Sequence, residues 1–318
     1  MSGPPSPPPR TRPRLGGWLR LVQTLAVVAI SYFIVAYLVH SWDRVHDYPW
    51  RLRWLPLACS LLAFLLFYVM NAVAWWLLLR GFGLRSSSRR AAATWGKSIL
   101  ARYLPGNVFM FLGRAWMSHT QGLDVKRVSA AMVYEQALGV GSALVTVAIL
   151  FPFWHYASPA AVWSLLAVPL LVALMHPRVF ARLSARVLRL LGREPLAEVM
   201  RFRAVLALLC YYVAAWLVAG LASWLFVVAV TGARAGVLAA VVVAFAFAYV
   251  VGMAAFVFPS GIGVREAVLA AALASRRPGG VALAWAVLLR LWQTVIELLF
   301  VGFAVMVDQW RRRGDETE

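Results

Sequence analysis

The sequence predicts an all-α polytopic membrane protein, with about six transmembrane helices and two re-entrant hairpins in an inverted repeat. Three observations carry this. The chain is 63% hydrophobic, with a mean hydropathy of +0.77 and 14% charged residues. Its apolar residues gather into runs near the roughly 20 residues that cross about 30 Å of hydrocarbon. Two Pro-Gly breaks interrupt such runs, at Leu104-Pro105-Gly106-Asn107 and at Phe258-Pro259-Ser260-Gly261-Ile262-Gly263. A broken helix at membrane depth leaves backbone groups unpaired, which protein or a water-filled cavity must surround. Two breaks in corresponding places of two half-molecules point to one binding site near the bilayer centre.

In chain order, residues 1–17 are rich in proline and arginine without apolar periodicity, and read as a disordered cytoplasmic tail. Leu21 to Val39 carries no charge, and His40-Ser41-Trp42-Asp43 offers no small-residue cleavage site, so this is a retained span rather than a signal peptide. Further spans are Trp54–Leu79, Val128–Phe151, Pro159–Met175, Ala204–Val230 and Val281–Val307. Ala91–Ser118, with Lys97, Arg102 and Arg114 around its break, and Val237–Ser275, too long for one crossing, read as hairpins that enter and leave on one side.

Span, hairpin, span therefore occurs twice, over 54–151 and 204–307, inside a membrane domain of residues 18–310. The linker 177–203 sets Val179, Leu183, Val187, Leu190 and Leu191 on one helical stripe beside Arg178, Arg182, Arg186, Arg189 and Arg193. That is the pattern of a helix lying in the cytoplasmic interface or of a solvated basic linker. Residues 311–318 form a second cytoplasmic tail.

The net charge of +19 comes from 31 Lys+Arg against 12 Asp+Glu. With both termini inside, 23 of the 31 fall on the cytoplasmic side and six outside, leaving Arg265 and Arg290 in the membrane. This bias obeys the positive-inside rule. Arginines in short links between apolar runs fit anionic lipid heads better than nucleic acid.

Cys59 and Cys210 lie in apolar runs, and the five histidines are scattered, so neither a disulfide framework nor a metal set is expected. No Walker loop, nucleophile elbow or zincin motif occurs, and Gly261-Ile262-Gly263 lacks the strand context of a dinucleotide site. No cofactor and no catalytic residue is expected, and the chain does not read as an enzyme.

Ionisable residues inside apolar stretches are costly, so they face one another, a cavity or an anionic ligand. They are Glu135, Arg265, Glu266, Arg290 and Glu297. Glu135, Gly139, Ser142 and Thr146 share one helical face, and Arg290, Gln293 and Glu297 share another; both faces are expected to look inward. Each Pro-Gly break frees the N–H groups of an outgoing half-helix near Asn107 and near Ser260 or Gly263, a setting suited to phosphate or carboxylate. Asn107, Arg114, Ser260, Gly261, Gly263, Arg265 and Arg290 are thus candidate substrate contacts. Glu135, Glu266 and Glu297 are candidates for gating or charge balance, or for pairing that only locks the halves together.

Lys97-Ser98 with Arg102-Tyr103-Leu104-Pro105-Gly106, Arg114 and Glu135 resembles the first block of the lysylphosphatidylglycerol synthase transmembrane-region family, whose members are also described as flippase-like. Phe258-Pro259-Ser260-Gly261-Ile262-Gly263-Val264-Arg265-Glu266 with Arg290 resembles the second, except that Ser260 stands where the family commonly has glycine. The resemblance implies a bacterial cytoplasmic-membrane protein that moves lipid between leaflets without ATP. It implies an anionic or polyprenyl-phosphate-linked lipid as partner. The alternative is a scaffold presenting a lipid-linked substrate to a separate glycosyltransferase or lipid synthase. The sequence ends eleven residues past the last predicted span, so the family's aminoacyl-transferase chemistry is expected to lie outside it.

Overall fold

The computed structural model describes residues 50–101, 108–154, 159–190, 200–232, 235–255, 263–274 and 279–315, together with 32, 39, 46–48 and 261. Among these residues there are ten α-helices and no strand: α1 Trp54–Gly81, α2 Ser88–Leu100, α3 Val108–Thr120, α4 Val125–Leu150, α5 Ala167–Leu174, α6 Pro177–Leu190, α7 Phe202–Thr231, α8 Leu238–Ala254, α9 Val264–Ala274 and α10 Gly279–Asp315. The predicted tail 1–17 lies outside the described residues, as does the span Leu21–Val39 apart from Tyr32 and Val39. So do Pro105, Gly106 and Asn107 of the first break, and Pro259 and Ser260 of the second.

Four stretches are long and apolar enough to cross a membrane: Trp54–Gly81, Val125–Phe153, Phe202–Thr231 and Gly280–Trp310. Local chemistry sets their ends. Asp124 caps α4, its carboxylate accepting from the N–H groups of Lys126 at 2.7 Å and Arg127 at 3.2 Å. Gly232, at φ +67, closes α7 in the left-handed conformation. Helix α10 continues past the predicted Val307 to Asp315, so residues 311–315 are helical.

The predicted span Pro159–Met175 is not one continuous α-helix. Pro159–Leu166 winds as a 3-10 helix before α5 begins. Pro169 explains this, since it has no N–H and its ring crowds the carbonyl four residues back, at Leu165. The stretch Val162–Leu174 then bends by 77° into Pro177–Arg186. On α6 the four arginines Arg178, Arg182, Arg186 and Arg189 are exposed, while Phe180 is buried against Tyr134 of α4, ring centroids 4.6 Å apart.

Both predicted breaks separate pairs of short packed helices, α2 from α3 and α8 from α9. The packing of the two units corresponds helix by helix when α1–α4 are set against α7–α10. Helix α1 packs on α7. Helix α2 packs on α10 and α8 on α4; α1 packs on α2, α4 and α10, and α7 on α8, α10 and α4. Helix α3 sits between α2 and α4 as α9 contacts α8 and α10. Helices α1 and α7 run antiparallel. The N–H groups of Arg51 and Arg53, just before α1, bond to Val230 and Ala229 at the end of α7, and Ser60 donates to the carbonyl of Ala222 at 2.8 Å. Where α7 meets α8, Gly220 lies so close to Val242 that an added Cβ would sit 2.6 Å away. Cys59 and Cys210 are free thiols.

Candidate functional site

The first half builds its charged site from three helices. Trp95 and Ser98, one turn apart on α2, face Arg114 on α3 and Glu135 on α4. Arg114 donates from Nε to Ser98 Oγ at 2.8 Å and from its terminal nitrogen to Glu135 Oε2. The Trp95 indole donates to the other carboxylate oxygen at 2.7 Å. The guanidinium also lies 4.6 Å from the centre of the Trp75 ring. Arg114 is 1% exposed and Glu135 8%, so both charges are withdrawn from bulk water and each depends on these partners.

Two expectations change here. Arg114, counted among the cytoplasmic charges, is buried inside the bundle. Glu135 pairs within its own half rather than with an arginine of the second.

An ion pair between consecutive helices also occurs in α9 and α10, with the signs exchanged. Glu266, on the outgoing helix α9, lies 3.5 Å from Arg290 Nε on α10, as Arg114 of α3 faces Glu135 of α4. Glu266 Oε2 also accepts from the Gly263 N–H at 2.5 Å, a capping contact across the first turn of α9. Gly261 and Gly263 have φ of +65 and +83, which residues with a Cβ rarely adopt. Arg265 departs from its neighbour Glu266 and runs over α8, its guanidinium 5.5 Å from the Tyr249 ring and 5.9 Å from Phe245. Gly252 makes this path possible, because a Cβ there would lie 2.5 Å from Arg265 Cγ.

The two halves meet at a cavity of about 160 Å³. Arg114 and Glu135 line it from the first half, Arg265 and Gln293 from the second. Its walls are aromatic, with Phe67, Tyr68, Trp95, Phe111, Tyr212, Trp216, Phe245 and Tyr249 all contributing. Arg290 is not among the lining residues; it faces a separate space of about 20 Å³ with Arg265, Glu266 and Gln293. Glu297 is fully buried one turn beyond Gln293, with its Oε2 accepting from Tyr68 at 2.9 Å.

Both polar stripes read from the sequence face inward. Glu135, Gly139, Ser142 and Thr146 are buried, and Gly139 and Ser142 accept from the Trp216 indole at 3.1 Å each. Trp75, Trp95, Gly252, Tyr212, Trp216 and Tyr249 were not distinguishable from ordinary packing residues in the sequence, although a glycine inside an apolar helix does mark a close approach.

Fold and site together define a multi-pass, all-α membrane protein in which Arg114, Glu135 and Arg265 line an aromatic-walled cavity. A family model described as the lysylphosphatidylglycerol synthase TM region matches residues 19–300, and the chain belongs to that family. Membership places it among membrane proteins related to lipid handling. A search of curated proteins finds no match.

Proposed function

We propose that this protein is a lipid translocase that moves an anionic phospholipid or a lipid-linked glycan precursor across the bacterial cytoplasmic membrane without ATP hydrolysis. One observation carries the reading: Arg265 of one half and the Arg114–Glu135 pair of the other line the same aromatic-walled cavity. A headgroup phosphate entering this space meets Arg265, whose guanidinium lies over the Tyr249 and Phe245 ring faces. Glu135 competes with the phosphate for Arg114, so the headgroup is held without being trapped. The Glu266–Arg290 pair ties α9 to α10 and sets where Arg265 begins.

The corresponding packing of α1–α4 and α7–α10, with α1 and α7 antiparallel, supports an inverted repeat. In this reading the two broken segments are re-entrant hairpins opening from opposite sides, both termini are cytoplasmic, and access alternates by rocking one unit against the other.

Proteoliposomes holding a fluorescent anionic lipid in both leaflets test this. Added dithionite bleaches only the outer half in empty vesicles. A translocase carries the loss well past half without ATP. Loss that stops at half with phosphatidylglycerol, polyprenyl-phosphate and phosphatidylcholine probes alike would instead favour a scaffold.

A further inference from the structure

Helix α6 takes no part in lining the cavity, and its surface pattern is not used by the proposed transport. At about 100° per residue, the exposed Arg178, Arg182, Arg186 and Arg189 fall on one stripe. Val179 and Leu183, 38% and 51% exposed, fall on the next stripe, between the arginines and the buried Phe180. Pro177–Leu190 contains no acidic residue.

Two contacts set α6 level with the ends of membrane-crossing helices. Phe180 packs on Tyr134, and the Tyr134 ring packs on Phe82, just past the end of α1, at 5.4 Å between centroids. His176, just before α6, packs on Phe202, the first residue of α7, at 4.7 Å. Helix α1, with 28 residues, rises about 42 Å against about 30 Å of hydrocarbon, so its ends reach headgroup level. The chain bends by 77° between Val162–Leu174 and Pro177–Arg186. A straight course would carry three exposed arginines into hydrocarbon, where each is costly. The bend turns them across the end of the bundle instead.

A helix at this level, with an exposed apolar stripe beside a row of cations, fits the surface of an anionic bilayer. Val179 and Leu183 enter the acyl boundary, and the arginines reach lipid phosphates on their apolar stems. A solvated linker would leave both apolar side chains in water. We infer that α6 is an interfacial anchor that gathers anionic lipids around its arginine row, on the cytoplasmic leaflet in the proposed topology. This surface is separate from the cavity, so the inference stands or falls independently of lipid transport.

The test uses the full chain, in a background lacking Cys59 and Cys210, in nanodiscs of mixed phosphatidylcholine and phosphatidylglycerol. A nitrobenzoxadiazole label is placed through Leu183→Cys, and in a second protein through Ala185→Cys, on the opposite side of the helix. The same small fraction of either lipid carries a nitroxide near the top of one acyl chain. The label at 183 should be quenched at least threefold more strongly by nitroxide-phosphatidylglycerol than by nitroxide-phosphatidylcholine. Quenching at 185 should be at least threefold weaker with either lipid.

Replacing Arg178, Arg182, Arg186 and Arg189 together by glutamine should abolish the preference between the two quenchers. These side chains are exposed, so the unfolding temperature should stay within a few degrees of the parent's. High salt should abolish the preference in the parent as well, by screening, which tests the arginines without any substitution. No quenching at 183 by either lipid would put α6 off the bilayer and overturn the inference. Equal quenching by both lipids at low salt would overturn the anionic preference. A preference that survives both the glutamines and high salt would overturn the role given to the arginines.

Discussion

Replacing Glu135 by glutamine tests the first half's charged site most sharply. The amide keeps one acceptor, so the Trp95 indole retains a partner. It also turns a second donor toward the Arg114 guanidinium, which keeps only Ser98 and the face of Trp75. Arg114 is 1% exposed and regains little water where it stands. Two unit charges about 3 Å apart at an effective dielectric constant near 20 attract by about 5.5 kcal/mol. Breaking a buried pair by removing one partner costs about 3–5 kcal/mol in practice. At about 2 °C per kcal/mol for a chain of this size, the unfolding temperature should fall by about 6–10 °C.

Scanning fluorimetry in detergent measures that shift. Adding Arg114→Met removes the stranded cation and should recover most of it. The folded fraction of the single mutant should also bind an anionic headgroup more tightly and release it more slowly, because Glu135 no longer competes for Arg114. A Glu135→Gln protein as stable as the parent, or a double mutant no more stable than the single, would refute the claim that this pair holds α2, α3 and α4 together.

Other outcomes follow from the same geometry. Gly252→Ala forces the Arg265 side chain off its path. It should cost about 1–3 kcal/mol of stability and weaken anion binding, and should have no further effect on binding in an Arg265→Ala background, as a double-mutant cycle by fluorimetry and lipid titration would show. Arg290→Met should destabilise less than Glu135→Gln in the same melting assay, because Glu266 keeps its Gly263 contact and the Arg290 side chain is 13% exposed. Trp95→Phe removes one donor from the buried carboxylate and should cost about 1–3 kcal/mol in that assay. In a background lacking Cys59 and Cys210, cysteine at position 193 should be protected from an impermeant reagent in intact cells while cysteine at 234 labels; labelling of 193 from outside would contradict the proposed topology.

Helix class and the longest spans were legible because twenty or more apolar residues in a row leave few alternatives, as in α1 and α7. The breaks were legible because Pro105 and Pro259 cannot continue a helix, and helices α2 and α8 end before them. Buried charges were legible as a set, since each is costly alone in an apolar bundle. Their partners were not. Arg114, Glu135, Glu266 and Arg290 allow more than one pairing by charge, and the distances that choose between them exist only after folding. Arg114 read as a candidate substrate contact and was counted with the cytoplasmic charges, but its burial between α2, α3 and α4 and its pairing with Glu135 depend on the packing of α3. The 3-10 turn before α5 depended on one proline, Pro169, inside a stretch whose hydropathy is that of a span. The aromatic cavity wall could not be separated from core, because Trp216 and Tyr249 sit at ordinary helical spacing among other apolar residues.

The central claim is that one cavity, with Arg265 as its headgroup cation, carries lipid across the membrane. The most direct measurement is the rate of dithionite-accessible leaflet exchange of a fluorescent phosphatidylglycerol in ATP-free proteoliposomes. It compares the parent chain with Arg265→Ala at matched amounts of folded protein. The account predicts exchange well past the outer-leaflet half for the parent and at least a tenfold slower rate for Arg265→Ala, with its unfolding temperature within a few degrees of the parent's. Equal rates for the two proteins, or no exchange by the parent above empty vesicles, would contradict it.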